Sequence, residues 1–234
     1  MLRFFKPHQR LFGLLLFSLL GPGILAPSAA MAQVDEEQLG GWYSWFYNRN
    51  IEGTPWATQM ILQSRNWDLG GDMQQTLALG LISYKPEKHP IRYGVGFYHL
   101  RHGEFGSGTN LWKENILFQQ GLYSTVWGEK NYLTMRVRLE EHFPEQRTSH
   151  RILRNFLSLN RPLNQSGLSA GAWYLSLYDE YFINLNQVEF AVNRIYAGIG
   201  YKGTDHTSWQ IGFMQQSTRS VDKGQLMLKL FHHY

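Results

Sequence analysis

The segment Tyr132–Phe143, YLTMRVRLEEHF, constrains the fold more than any other. Leu133, Met135, Val137, Leu139 and Phe143 share one parity, and Thr134, Arg136, Arg138, Glu140 and His142 share the other. Successive side chains of a strand point to opposite faces, whereas a helix would scatter these charges around its surface. The run therefore reads as a strand with one apolar and one charged face.

Similar runs recur, split by turn residues. Leu77, Leu79 and Leu81 share a face. Tyr93, Val95 and Phe97 oppose Gly94 and Gly96. Trp173, Leu175, Leu177 and Tyr181 oppose Tyr174, Ser176, Tyr178 and Glu180. Ile195, Ala197, Ile199 and Tyr201 oppose Arg194, Tyr196, Gly198 and Gly200. Trp209, Ile211 and Phe213 oppose Gln210, Gly212 and Gln216, and Leu226, Leu228, Leu230 and Tyr234 oppose Gln225 and Lys229. Helical periodicity is poor throughout, so no helix is available to cover so many apolar faces. Eleven candidate strands emerge, at about 41–49, 56–66, 74–84, 91–101, 114–127, 131–143, 150–160, 170–183, 190–202, 208–216 and 225–234. Closing a sheet on itself removes its edges, and single-chain bacterial barrels carry an even number of strands. Ten or twelve is therefore expected, with twelve favoured. Glycine on the polar face makes room in a narrow lumen for large side chains opposite. Trp42, Trp45, Trp56, Trp112, Trp127, Trp173 and Trp209 lie near strand ends, as interfacial girdles require. The segments 85–90, 128–131, 161–164 and 203–206 read as turns and 103–113 as a longer loop, so short turns are expected at one end and longer loops at the other.

The N-terminus has a separate character. Arg3, Lys6 and Arg10 precede the apolar run Leu11–Leu20, and Ala30-Met31-Ala32 places small residues ahead of Gln33. This is the layout of a secretory signal peptide over 1–32, whose apolar run is too short to span a bilayer. The expected mature chain is 33–234. It carries 19 basic and 18 acidic residues, a net charge of +1, so the basic precursor gives no reason to expect nucleic acid as a partner. Aromatic residues make up 15% of the chain, which suits side chains held at a membrane–water boundary. There is no cysteine, hence no disulfide frame and no thiolate metal site.

The segments 115–143, 150–160, 193–202 and 212–219 resemble the bacterial family called domain of unknown function 2490. The carrying motifs are Arg136-x-Arg138-x-Glu140, the Asn193–Tyr201 strand and Gly212–Gln215. The resemblance implies a signal peptide followed by one outer-membrane barrel, and it implies no activity. Barrels of that kind usually end in Phe, where this chain has Tyr234.

Arg92, Arg136, Arg138, Glu140, Arg154, Glu180, Arg194 and Lys229 lie on the polar parity and are expected to project into the lumen. They would either bind or conduct an anionic solute, or fill and stiffen a narrow barrel as an ion-pair ladder. His206 and Ser208 have a His-x-Ser spacing that barrel lipid hydrolases use, although Trp209 stands where those families have Asn, and the segment equally reads as a turn. His142, His150, His232 and His233 fit no standard metal-ligand spacing, so no metal is expected. Glu140-Glu141 and Asp179-Glu180 point to opposite faces and cannot form acid–base couples. Gly198-Ile199-Gly200 lacks the helix that would make it a nucleotide fingerprint, and no cofactor is expected.

The sequence thus predicts an all-β protein: a single antiparallel transmembrane β-barrel of ten to twelve strands after a cleaved signal peptide. Its expected place is the outer membrane of a Gram-negative bacterium, reached through the periplasm. Its expected partners are outer-membrane lipid, lipopolysaccharide and the barrel-assembly machinery. The leading role is a narrow solute channel or an envelope structural protein. The alternatives are a lipid hydrolase using His206 and Ser208, and a soluble periplasmic β-sandwich that binds a ligand.

Overall fold

The computed structural model describes residues 38–106 and 111–234, and the expected signal segment 1–32 lies outside the described residues. The alternating runs are strands, eleven among the described residues: β1 (Gly40–Asn50), β2 (Trp56–Asn66), β3 (Met73–Tyr84), β4 (Ile91–Gly103), β5 (Leu111–Trp127), β6 (Asn131–Pro144), β7 (His150–Pro162), β8 (Trp173–Asn184), β9 (Glu189–Lys202), β10 (Thr207–Thr218) and β11 (Asp222–His233). Each pairs with its sequence neighbours, antiparallel, and β1 pairs with β11 to close one barrel. A single ring excludes the two packed sheets of a β-sandwich.

Eleven falls inside the expected range but is neither of the even numbers. The reason is the seam. An up-and-down meander of odd length brings its first and last strands together in the same direction, and β1 and β11 are parallel, from Gly40 beside Gln225 to Asn48 beside His233. β1 thus starts at one mouth of the barrel, here the first mouth, and β11 ends at the second.

Loop length does not separate the mouths as expected. The β7–β8 connection 163–172 and the tight 128–130 turn share the second mouth. The longer one folds onto itself, with Asn164 Nδ2 donating to the Gly171 carbonyl at 2.9 Å and Asn164 Oδ1 accepting from the Trp173 amide at 2.8 Å. Arg161 and Pro162, read as turn residues, close β7 instead, where the missing N–H of proline costs least. Residues 170–172 precede β8 rather than opening it, because Gly171 turns the chain at φ 84°.

The outward face is apolar in successive rows. Leu175, Ile199, Ile211 and Leu228 lie side by side across β8–β11, as do Leu177, Ala197, Phe213 and Leu226. Toward the second mouth Trp173, Tyr201 and Trp209 form an aromatic row, with ring centroids 4.8–5.7 Å apart. Trp56 and Tyr84 continue it at 5.0 Å on β2 and β3.

The inward face departs from a uniformly polar lumen on β3–β5. Leu77, Leu79 and Leu81 point inward and pack with Tyr98, Leu100, Ile116 and Phe118 in one buried cluster. Glycine makes the space: a Cβ on Gly96 would lie 2.3 Å from the Phe118 ring. A second inner cluster joins Trp42, Tyr196, Met214 and Met227. The charged wall of β6–β9 lies between these two apolar packings.

Candidate functional site

Register builds the charged wall. On β6 and β7, Arg138 directly opposes Arg154. Like charges so placed repel, and two carboxylates relieve the pair. Glu140 Oε1 accepts from Arg154 Nη1 at 2.7 Å and lies 3.6 Å from Arg138. Glu180, opposite Arg194 on β9, accepts from Arg136 at 2.6 Å and Arg154 at 2.8 Å through Oε1, and from Arg194 at 3.3 Å through Oε2. Arg138 also donates twice to Gln120 Oε1, at 2.9 and 2.6 Å. Arg138 and Glu140 are each only 1% exposed, so this network is packed rather than solvated.

Aromatic faces hold the same cations. Arg138 lies over Phe118, Arg154 over Phe182 and Arg136 over Phe156, at 4.1–4.8 Å from the ring centroids. Trp42 is clasped between Arg65 at 4.1 Å and Arg194 at 5.0 Å. Arg65 donates to Gln63 at 2.7 Å and to Gln75, and makes no ion pair among the described residues. The Lys229 ammonium sits 3.5 Å over Tyr196 and 4.5 Å over Tyr178.

These groups surround a cavity of about 270 Å³. Among the described residues its wall includes Arg65, Arg136, Arg138, Arg154, Arg194 and Lys229 but only one carboxylate, Glu180. Even with Glu140 behind it, cations outnumber anions by four. A wider vestibule of about 630 Å³ at the first mouth shares Trp42, Arg65 and Arg194 with the cavity, so Trp42 and its two arginines stand between mouth and interior. The 67–72 connection forms part of that mouth, and Trp67 also lines the vestibule. Asp68 accepts from the amides of Gly70, Gly71 and Asp72 there, and the Gly71 and Asp72 bonds foremost hold its carboxyl below the usual range.

Of the eight residues expected in the lumen, Arg136, Arg138, Glu140, Arg154, Glu180 and Arg194 meet in one network, and Lys229 joins it through aromatic faces. Arg92 faces inward toward the second mouth, where it donates to Ser83 Oγ at 3.4 Å, away from the others. Sequence reasoning missed Arg65 and the glutamines that hold the guanidinium groups, and it placed Trp42 in an interfacial girdle, whereas Trp42 faces inward and is 2% exposed. Gln59, Gln63 and Arg65 share a parity in β2, and that was the available signal.

His206 and Ser208 do not meet. His206 sits exposed in the turn before β10, donates Nδ1 to the His233 carbonyl at 2.8 Å and stacks on Tyr234. Ser208 is buried and faces inward on β10, and no base–nucleophile hydrogen bond joins the two among the described residues. His232 and His233 take opposite faces, one ring beside Trp45 and the other beside Asn48. His142 and His150 are different. They oppose each other across β6 and β7 with rings 4.7 Å apart, and Glu114 reaches His142 Nδ1 at 2.8 Å. The sequence expectation of no metal rested on spacing along the chain; strand pairing brings one ligating atom each of Glu114, His142 and His150, from three strands, within 4.8 Å of one another.

A closed β-barrel with a cation-lined interior is therefore the class this fold and site define. Residues 39–227 match the family described as protein of unknown function DUF2490, and the chain belongs to that family. No curated protein and no solved structure matches it significantly.

Proposed function

We propose that the protein is an outer-membrane β-barrel of a Gram-negative envelope whose lumen holds and passes a small anionic solute. On this reading a signal peptide over residues 1–32 exports the chain through the periplasm, the assembly machinery inserts it, and lipid with lipopolysaccharide surrounds it. The apolar rows and aromatic belt of the outer face support that placement. So do strands of 11 to 17 residues, which meet the roughly 9–11 tilted residues a bilayer needs.

The observation that carries the solute reading is the charge excess around the cavity. An uncompensated buried cation costs several kcal/mol, about 3–5 when one partner of a pair is lost. Among the described residues the cavity sets five arginines and Lys229 against Glu180 and Glu140, and this excess of basic side chains favours an anion from outside. The cavity is just below the roughly 300–1,000 Å³ of pockets for drug-sized molecules, which favours a phosphate-, sulfate- or small carboxylate-sized guest. Arginine forks suit those oxyanions. Such a narrow, filled interior gives small conductance rather than porin-like currents.

Residues 33–234, refolded into a planar bilayer, are expected to give small anion-preferring current steps. Arg65→Ala should reduce the anion preference, because Arg65 lines both vestibule and cavity without an ion-pair partner among the described residues. Silence from protein shown to be inserted, together with no oxyanion binding by calorimetry, would leave a sealed barrel with a structural role.

A further inference from the structure

The Glu114–His142–His150 cluster adjoins the charged wall through Glu140 but has its own chemistry. Glu114 comes from β5, His142 from β6 and His150 from β7, all near the first mouth. One donor atom from each lies within 4.8 Å of the other two. Two imidazole nitrogens and a carboxylate oxygen are a donor set for borderline divalent ions such as zinc, with three protein ligands and a fourth position left for water. In a tetrahedral site the ligand atoms sit roughly 3–3.5 Å apart, given metal–ligand bonds of about 2.0–2.2 Å. The groups therefore need to close by about an ångström, within reach of side-chain rotation.

The surroundings are built as a ligand set requires. His142 Nε2 lies 3.1 Å from Glu140 Oε2, so a metal on Nδ1 leaves Nε2–H donating to a carboxylate, which fixes tautomer and ring plane. Glu140 is in turn held by Arg154. The second oxygen of Glu114 lies 3.0 Å from His102 Nε2, and Gln75 Nε2 lies 3.1 Å from His102 Nδ1. Glu114 is buried and His142 largely so, with side chains 9% and 13% exposed. As it stands, His142 is bracketed by two carboxylates, Glu114 and Glu140. A divalent ion on Nδ1 would displace the proton that now joins His142 to Glu114.

We propose that Glu114, His142 and His150 bind a zinc-class divalent cation at the inner rim of the barrel, with Glu140 and His102 orienting the ligands. The site is separate from the anion reading and stands or falls independently of it.

The test uses chelator-treated mature protein refolded in detergent micelles, titrated with zinc by calorimetry and with cobalt by visible absorption. One ion per chain is expected, with the intense visible bands of four-coordinate cobalt. His150→Ala should weaken zinc at least tenfold, and Glu114→Gln similarly. His99→Ala and His232→Ala, on the outer face, should leave affinity unchanged. Should Glu114→Gln fail to fold, His150→Ala decides alone, since among the described residues that ring, beyond its stack on His142, makes only a 3.4 Å contact with the Thr148 carbonyl. No binding at micromolar free zinc overturns the proposal. So does binding unaltered by His150→Ala, which would mark an adventitious site among the other histidines.

Discussion

Glu180 shows what a single side chain does in this lumen. Three arginines converge on its two oxygens, and it is 5% exposed. Removing one partner of a buried ionic cluster leaves charge uncompensated and costs about 3–5 kcal/mol. Glu180→Ala is expected to lose that much in urea unfolding from lipid vesicles. The Arg151–Glu141 pair on the outer rim is the contrast: its side chains are 62% and 47% exposed, and such pairs contribute about 0–1 kcal/mol. Glu141→Ala should shift the same transition barely at all, and equal effects of the two substitutions would refute the packed network. Residue faces were legible in the sequence, since alternation sorts Glu180 from Asp179. Partners were not. That Arg138 faces Arg154, or that Glu114 reaches His142, depends on the register between strands, which no single run encodes.

At the scale of the strand, the glycines of β9 and β10 decide how tightly the wall can close. A Cβ on Gly212 would come within 2.4 Å of the Ala197 carbonyl oxygen and 2.5 Å of Gly198 Cα, backbone atoms that cannot step aside. On Gly80 it would meet nothing within 4 Å. Overpacking of this kind costs typically about 1–3 kcal/mol. Gly212→Ala should accordingly lower the temperature at which the folded band is lost in heat-modifiability gels, while Gly80→Ala should leave it within error. A loss of equal size for both would mean that close approach is not the reason for glycine in β10. β3 marks where pattern reading stops. The alternation of Leu77, Leu79 and Leu81 was plain, but its direction was not. The opposite parity there holds Thr76, Ala78, Gly80 and Ile82, so neither face is strongly polar, and the inward choice is made by packing against Tyr98 and Phe118.

For the whole molecule, all eleven strands could be seen as separate runs, with ends misplaced by a few residues at most. Closure was expected from the many apolar faces with no helix to cover them, but the parallel direction of the closing pair was not, because it depends on the exact strand count. The rule of even numbers describes other barrels and gave the wrong parity here. The outer rows yield a prediction at this scale. On the membrane reading, Ile199→Arg places a charge among Leu175, Ile211 and Leu228, where a cation at the bilayer midplane costs about 2–4 kcal/mol. Insertion into vesicles, followed by protease protection, should fall accordingly. Insertion indistinguishable from the unaltered protein would argue against lipid at that face.

The parallel seam has a consequence for how the chain can be handled. A weave with an even number of strands returns its tail to the side it left, so both tails share one compartment. Here the traverse is uneven, and the start of β1 at Gly40 and the end of β11 at His233 lie at opposite mouths. The two tails are separate addresses. On the membrane reading, reporters fused at each would answer to different solutions, and a tandem duplication would need a linker long enough to run the full height of the barrel.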